Sequence, residues 1–214
     1  MIVGKMLKVV EVYDAIAGEG RYMGRKCKMV RLYGCNLRCK GCDSSFTWDG
    51  NYYRVDVNSI YEEVKDENLV VITGGEPLMQ YWNGLRELLF MLGDKCVVET
   101  NGTVLPLRCK WGVRFVVSPK KGADVDWSFW TDKKEVVDYK FVIGEQKWTW
   151  SVKEVNEIIE KYKLPREKVW LMPYGASANE VNKWAVKCWE SAIENGFNYS
   201  DRLHIRLFGN RRGV

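Results

Sequence analysis

The chain has 214 residues, 46% of them hydrophobic and 29% charged, with a formal net charge of +5. That length supports one domain with a real core, and no apolar stretch approaches the roughly 18 residues that a membrane-crossing helix needs, so a membrane protein is not expected. The positive charge is interspersed and its one basic cluster, Arg206 to Arg212, is short, which suits small anionic ligands better than the broad face a nucleic acid requires.

The opening Met1-Ile2-Val3-Gly4-Lys5 runs directly into a strand pattern, and no signal peptide is expected there. Strand-like segments recur at residues 7–13, 28–33, 69–73, 96–100, 114–118, 137–143, 169–172 and 203–208. Most are short continuous apolar runs, as strands buried on both faces of a parallel sheet require. Between some of them a helical period appears. Leu78, Trp82, Leu85, Leu89 and Leu92 repeat on one face, as do Val181, Trp184, Ala185, Cys188 and Ala192. Ser151-Val152-Lys153-Glu154 and Ser177-Ala178-Asn179-Glu180 read as capping boxes, each opening a helix. The connections 102–114 and 120–137 are too weakly periodic for full crossover helices.

Alternating strands and helices imply an α/β fold with a parallel sheet, whose ligands bind at the carboxyl ends of the strands. A complete eight-fold barrel needs about 250 residues. The expected architecture is therefore a partial, trimmed TIM-type barrel with about six core strands and fewer helices, in one domain over 1–214.

Seven cysteines and no disulfide-style framework point to a reducing compartment with metal ligation. Cys35, Cys39 and Cys42 form a C-x3-C-x2-C run inside a loop at 34–48. Three thiolates on one tight loop can hold three irons of a [4Fe–4S] cluster, leaving the fourth open. A zinc site completed by a distant residue is the competing reading, and three unrelated thiols a further one. Cys27, Cys96, Cys109 and Cys188 lie in or near strand and helix patterns and read as core or surface thiols.

Four further segments follow in order: Thr73-Gly74-Gly75-Glu76-Pro77, Glu99-Thr100-Asn101-Gly102, Ser118-Pro119-Lys120 and Leu171-Met172-Pro173. Each lies at the carboxyl end of a predicted strand. With the cysteine triplet, this ordered set resembles the radical S-adenosylmethionine (SAM) enzymes. The amino-terminal third narrows the resemblance. Ala17-Gly18-Glu19-Gly20, then Val30-Arg31-Leu32-Tyr33-Gly34-Cys35, and the terminal Gly209-Asn210-Arg211-Arg212-Gly213-Val214, are similar to the 7-carboxy-7-deazaguanine synthases over nearly the whole chain.

That resemblance implies a lyase converting 6-carboxy-5,6,7,8-tetrahydropterin to 7-carboxy-7-deazaguanine with loss of ammonia, a step toward queuosine or archaeosine. It implies a [4Fe–4S] cluster, SAM and Mg²⁺, an external electron donor, a homodimer and a cytoplasmic setting. SAM would chelate the open iron and, on taking one electron, give a radical that abstracts a substrate hydrogen. A glycyl-radical-enzyme activase shares the cysteine spacing, but Glu19, Arg31 and the carboxyl-terminal match argue against it. A non-enzymatic iron–sulfur or zinc protein is the other class, which a SAM titration of the reconstituted cluster would separate.

The residues suit these roles. Gly74 and Gly75 let backbone approach the SAM amine, whose protons a carbonyl and Glu76 accept; glycines serving turn geometry alone is the plainer account. Glu99, Asn101, Met172 and Pro173 join the SAM set by motif position. Ser118 and Lys120 would hold its carboxylate or ribose, although a solvated turn equally suits Lys120. Arg31, on a strand that should be buried, offers a bidentate fork to a substrate carboxylate; an internal ion pair with a Glu is the alternative. Glu19 can accept two parallel N–H bonds from the substrate's pyrimidine edge, or be a plain loop acid. The substrate loop spans the 6–26 segment, and Thr73 is a further substrate contact. Two positions depart from the family: Ala17 stands where Gln is common, and Ser44 where Thr is common. Ser44 keeps a hydroxyl for Mg²⁺, or caps the loop. His204 should share a strand face with Arg206, as a structural histidine more readily than an acid–base group.

Overall fold

Two parallel strand systems carry the motifs, in a computed structural model that describes residues 5–107, 109, 111–133 and 136–214. The expectation for Met1-Ile2-Val3-Gly4 lies outside the described residues, as do Arg108 and Lys110 of the 102–114 connection and Lys134 and Glu135 of the 120–137 connection. The chain divides into two units, the first of Met1–Ala15, Lys26–Thr100 and Val104–Phe115, the second of Ile16–Arg25, Asn101–Thr103 and Val116–Val214.

Through the first unit run β1 (Met6–Ile16), β2 (Lys26–Leu32), α1 (Phe46–Asp49), β3 (Tyr53–Asp56), α2 (Val57–Val64), β4 (Val70–Gly74), α3 (Leu85–Leu92), β5 (Cys96–Thr100) and the start of β6 (Arg114–Val117). Its strand order is β3-β1-β2-β4-β5, open and not closed on itself. β3 pairs antiparallel with β1, Leu7 opposite Val55. β2, β4 and β5 are parallel, with Arg31 opposite Thr73 and Val70 opposite Cys96. The run Val70-Val71-Ile72 is buried throughout, flanked on its two edges by β2 and β5. α2 contributes Val57, Ile60 and Val64 to that core, and α3 contributes Leu85, Leu88, Leu89 and Leu92.

One sequence expectation changes here. The stripe from Leu78 to Leu92 divides into a 3₁₀ turn, Pro77–Asn83, and α3. Gly84 separates them with φ of 142°, and a Cβ there would lie 2.7 Å from Val57 Cγ2. Trp82 consequently leaves the buried face and is exposed. β3 and α2 were not foreseen. Asp56 starts α2 by accepting a hydrogen bond from Asn58 N.

The second unit holds α4 (Trp127–Thr131), β7 (Val137–Ile143), α5 (Val152–Tyr162), β8 (Val169–Pro173), α6 (Ala178–Asn195), β9 (Asn198–Tyr199) and α7 (Leu203–Phe208). β7, β8 and β9 pair in parallel, with Ile143 opposite Pro173 and Leu171 opposite Tyr199. Ser151 and Glu154 form the complete reciprocal capping box of α5. At α6, Ser177 accepts from Glu180 N, while Glu180 turns its carboxylate to Ala176 N.

The segment 203–208 is helix α7, not a strand. Arg206 N bonds to Arg202 O and Gly209 N to Ile205 O. Gly209 then ends the helix with φ of 62°. His204 and Arg206 therefore do not share a strand face. No helix among the described residues is long and apolar enough to cross a membrane.

Candidate active site

In the first unit the cysteine loop is tied at its root to the turn after β4. Gly75 N donates to Leu32 O at 3.2 Å, and Glu76 N to Gly34 O at 2.8 Å. A Cβ on Gly75 would lie 2.0 Å from Gly34 O and 3.0 Å from Cys35 Cβ; one on Gly74 would lie 2.1 Å from Leu32 O. No side chain fits against backbone so close, so both positions demand glycine. Gly34 N also bonds to Thr47 O, and the Arg38 guanidinium donates to Cys35 O and Leu37 O.

Cys35, Cys39 and Cys42 are each part-exposed, whereas Cys27, Cys96, Cys109 and Cys188 are buried. Burial pushes the Cys188 thiol up to about 12 and that of Cys96 higher still, so these two stay protonated and are poor iron ligands. Burial foremost, with the Glu76 charge added, raises Cys35 as well. A thiolate there calls for a strongly cationic partner, which iron supplies. Among the described residues no three His, Cys, Asp or Glu side chains converge as a metal-binding group. The donor chemistry and the glycine cradle fit a cluster with SAM beside it; a cluster would gather the thiols that the loop carries.

Glu76 is fully buried and already engaged. Its carboxylate accepts Leu78 N at 3.0 Å, capping the 3₁₀ turn, and both its oxygens accept the Thr100 hydroxyl. Thr73 Oγ1 donates to Glu99 Oε2 at 3.2 Å. The buried Gln80 binds the neighbouring strands, donating to Lys8 O and to Tyr33 O, the latter two residues before Cys35.

Arg31 lies on β2 within reach of three side chains. Its Nε donates to Glu11 Oε1 at 2.7 Å, one terminal nitrogen to the Tyr13 hydroxyl at 2.9 Å, and the other to Ser44 Oγ at 3.4 Å. The internal ion pair considered from sequence is thus present, with Glu11 as partner. Besides accepting from Arg31, the Ser44 hydroxyl donates to Asp43 Oδ1 at 3.2 Å, and the Ser44 carbonyl accepts from Thr47 N and Oγ1.

In the second unit Glu19 is the centre of a charged group. Lys140 Nζ lies 2.6 Å from one carboxylate oxygen; Arg202 Nε lies 3.0 Å and His204 Nε2 3.8 Å from the other. Burial alone would raise the Glu19 pKa, but Lys140, Arg202 and His204 together hold it well below the usual carboxylate value. A plain surface acid is excluded. Ala17 is buried, with N donating to Arg25 O and its carbonyl accepting from Gly24 N.

Asn101 Oδ1 accepts from Thr103 N and Oγ1, closing a tight turn after β5. Lys120 Nζ donates to Ser118 Oγ at 2.9 Å, and Trp150 Nε1 fixes Pro119 O. Met172 and Pro173 end β8 and are buried. Sequence reasoning passed over Gln80, Asp138, Lys140 and Arg202. The readable signal for two of them was a Lys and an Asp at alternate positions of the otherwise apolar Val137-Asp138-Tyr139-Lys140-Phe141.

The radical SAM superfamily model matches residues 29–111. The 7-carboxy-7-deazaguanine synthase of Pyrobaculum aerophilum is 36% identical over 97% of this chain and 97% of its own length. That of Hyperthermus butylicus is 36% identical over 94% and 92%. Among solved structures, QueE from Escherichia coli superposes with a TM-score of 0.68 at 20% identity, covering 93% of this chain and 95% of that one; this likeness is one of fold.

Proposed function

The chain belongs to the 7-carboxy-7-deazaguanine synthase family of radical SAM enzymes, and from that premise we propose how its residues divide the work. The reaction is the conversion of 6-carboxy-5,6,7,8-tetrahydropterin to 7-carboxy-7-deazaguanine with loss of ammonia, and its cofactors are a [4Fe–4S] cluster and SAM. When bound, these supply the hydrogen-abstracting radical. The remaining tasks fall to the chain.

Cys35, Cys39 and Cys42 hold the cluster. Gly74 and Gly75 present backbone to the SAM amine, and Glu76, whose carboxylate also takes the Thr100 hydroxyl and Leu78 N, accepts a hydrogen bond from that amine. Glu99, Asn101, Ser118, Lys120, Met172 and Pro173 complete the SAM set. Arg31 exchanges its half-buried partners for the substrate carboxylate, with Thr73 beside it on the paired strand. Glu19 reads the pyrimidine edge. Each carboxylate oxygen can accept two bonds, so the cations at Glu19 leave room for two substrate N–H donors. Backbone or water at Ala17 serves where relatives offer an amide. Mg²⁺ sits at Ser44. A homodimer, an external electron donor and a cytoplasmic setting, which keeps thiols reduced, complete the proposal.

The observation that carries this reading is the interlock of the cysteine loop with the glycine turn, where a Cβ on Gly75 would lie 2.0 Å from Gly34 O. The test is anaerobic incubation of reconstituted enzyme with SAM, a reductant and the carboxy-tetrahydropterin, with mass detection of product. Appearance of 7-carboxy-7-deazaguanine supports it. Uncoupled SAM cleavage with unchanged pterin would overturn the substrate assignment while leaving the superfamily chemistry intact.

A further inference from the structure

Strand β7 places Asp138 and Lys140 on one face, since side chains repeat every second residue. Both are buried, at 1% and 3% exposure. Opposite charges at neighbouring positions inside a sheet cost desolvation that an apolar pair would avoid, so their stability contribution does not account for them. Each meets an opposite charge on the Ile16–Arg25 segment. Lys140 pairs with Glu19, and Asp138 takes a bidentate bond from Arg21 at 2.8 and 2.9 Å. Glu19 and Arg21 are themselves two residues apart, and Gly20 N between them is pinned to Ser200 Oγ at 2.7 Å. A slip by one residue would bring Gly20 opposite a buried charge.

We propose that Lys140 is a positioning residue for the reaction: it fixes the orientation of the Glu19 carboxylate toward the substrate's N–H donors, while the Asp138–Arg21 pair sets the register of the loop that carries Glu19. This rests on Glu19 as the reader of the pyrimidine edge. The other charged or titratable groups facing Glu19 are Arg202 and His204. Arg202 also donates to Gly175 O and so is anchored to the loop after β8. Lys140 holds the second oxygen and, with Arg202 on the first, prevents rotation of the carboxylate. A fixed carboxylate offers its remaining lone pairs in one plane, which is the arrangement two parallel N–H donors need. Removing Lys140 frees one oxygen and lets the carboxyl take up a proton at higher pH, since the largest attractive charge beside it is gone. A protonated carboxyl donates where the substrate also donates.

The experiment uses reconstituted holoenzyme with Lys140→Met, Lys140→Gln, Lys140→Arg and Glu19→Gln. Infrared titration without substrate, referenced to Glu19→Gln, reads the Glu19 carboxyl directly. Its protonated band should appear at higher pH in Lys140→Met and return toward wild type in Lys140→Arg. With SAM bound, pterin affinity in Lys140→Met should fall at least about tenfold, as for one partner of a buried pair, while the SAM-induced change in the cluster spectrum stays as in wild type. Lys140→Gln, which keeps a donor without charge, serves should Lys140→Met fail to fold. Wild-type titration and affinity in the Met or Gln variant would overturn the proposal. Wild-type affinity in Glu19→Gln, with the infrared band still displaced by Lys140→Met, would instead remove Glu19 as the substrate reader.

Discussion

Thr100 donates one hydroxyl to both carboxylate oxygens of Glu76, at 2.9 Å each, and both residues are buried. This contact joins the turn after β4 to the end of β5, the two places where the glycine and Glu-Thr-Asn-Gly motifs lie. It explains why a charged residue sits at 0% exposure directly after two glycines. An isosteric Thr100→Val leaves the buried carboxylate short of a donor, at a cost of about 1–3 kcal/mol. Chemical denaturation should show that loss, with Thr100→Ser recovering most of it. Equal stability for Val and wild type would mean that Glu76 has other partners sufficient to hold it.

The cysteine assignment divides seven thiols by burial. Cys35→Ala, Cys39→Ala or Cys42→Ala should each abolish SAM cleavage and sharply reduce iron and sulfide after anaerobic reconstitution. Cys188→Ala, on the buried face of α6, should retain full iron content. Iron retained at wild-type level in Cys39→Ala would refute the triplet as ligands.

The parallel strands were legible because each is a continuous apolar run ending in a motif: residues 96–100 and 137–143 coincide with β5 and β7. The helix caps at Ser151 and Ser177 were equally plain, because a Ser and a Glu three residues apart satisfy free backbone donors at a helix start, reciprocally at Ser151 and Glu154 and through the Ser177 side chain at α6. What sequence concealed was short or two-valued. Leu203-His204-Ile205-Arg206 alternates as a strand would, yet six residues cannot separate a period of two from one of 3.6. The Gly209 stop was the better signal. β3 is four residues at an antiparallel edge, too brief to show a period. At the site, the types of Glu19 and Arg31 were readable but their partners were not. Lys140 and Arg202 lie 121 and 183 residues from Glu19 in sequence, and only the fold brings them to it.

The Glu19 group also sets a pH dependence of stability. Its folded pKa is depressed, so the stabilisation is fully present above the ordinary value near 4.5 and is lost as pH falls through the folded value. Glu19→Gln should therefore be less stable than wild type at neutral pH, with the gap closing on acidification below about 4.5. Thermal melts from pH 7 down to pH 3 read this directly. A gap that stays constant across that range would show that packing, not charge, sets the cost.

The last prediction concerns magnesium at Ser44. The hydroxyl lies between an acid and a base, donating to Asp43 at 3.2 Å and receiving Arg31 at 3.4 Å. A divalent cation beside a guanidinium is opposed by like charge, so Mg²⁺ at Ser44 requires Arg31 to turn away or an anion to stand between them. A substrate carboxylate would meet both needs, placing negative charge beside Arg31 and the metal, while Ser44 would offer Mg²⁺ a hard oxygen of the kind it prefers. Metal and substrate should accordingly bind together. Chelator-treated enzyme should lose turnover and recover it on added Mg²⁺, and saturating pterin should tighten Mg²⁺ binding. Ser44→Ala should lose that response while keeping the SAM-induced change at the cluster. Arg31→Met removes the opposing charge, so in the absence of substrate it should bind Mg²⁺ more tightly than wild type, even as its affinity for substrate falls. Isothermal titration of Mg²⁺ into wild type and Arg31→Met, with and without pterin, separates the two effects. Wild-type turnover indifferent to Mg²⁺ would end the hypothesis and leave Ser44 with the loop-capping role its carbonyl already performs for Thr47.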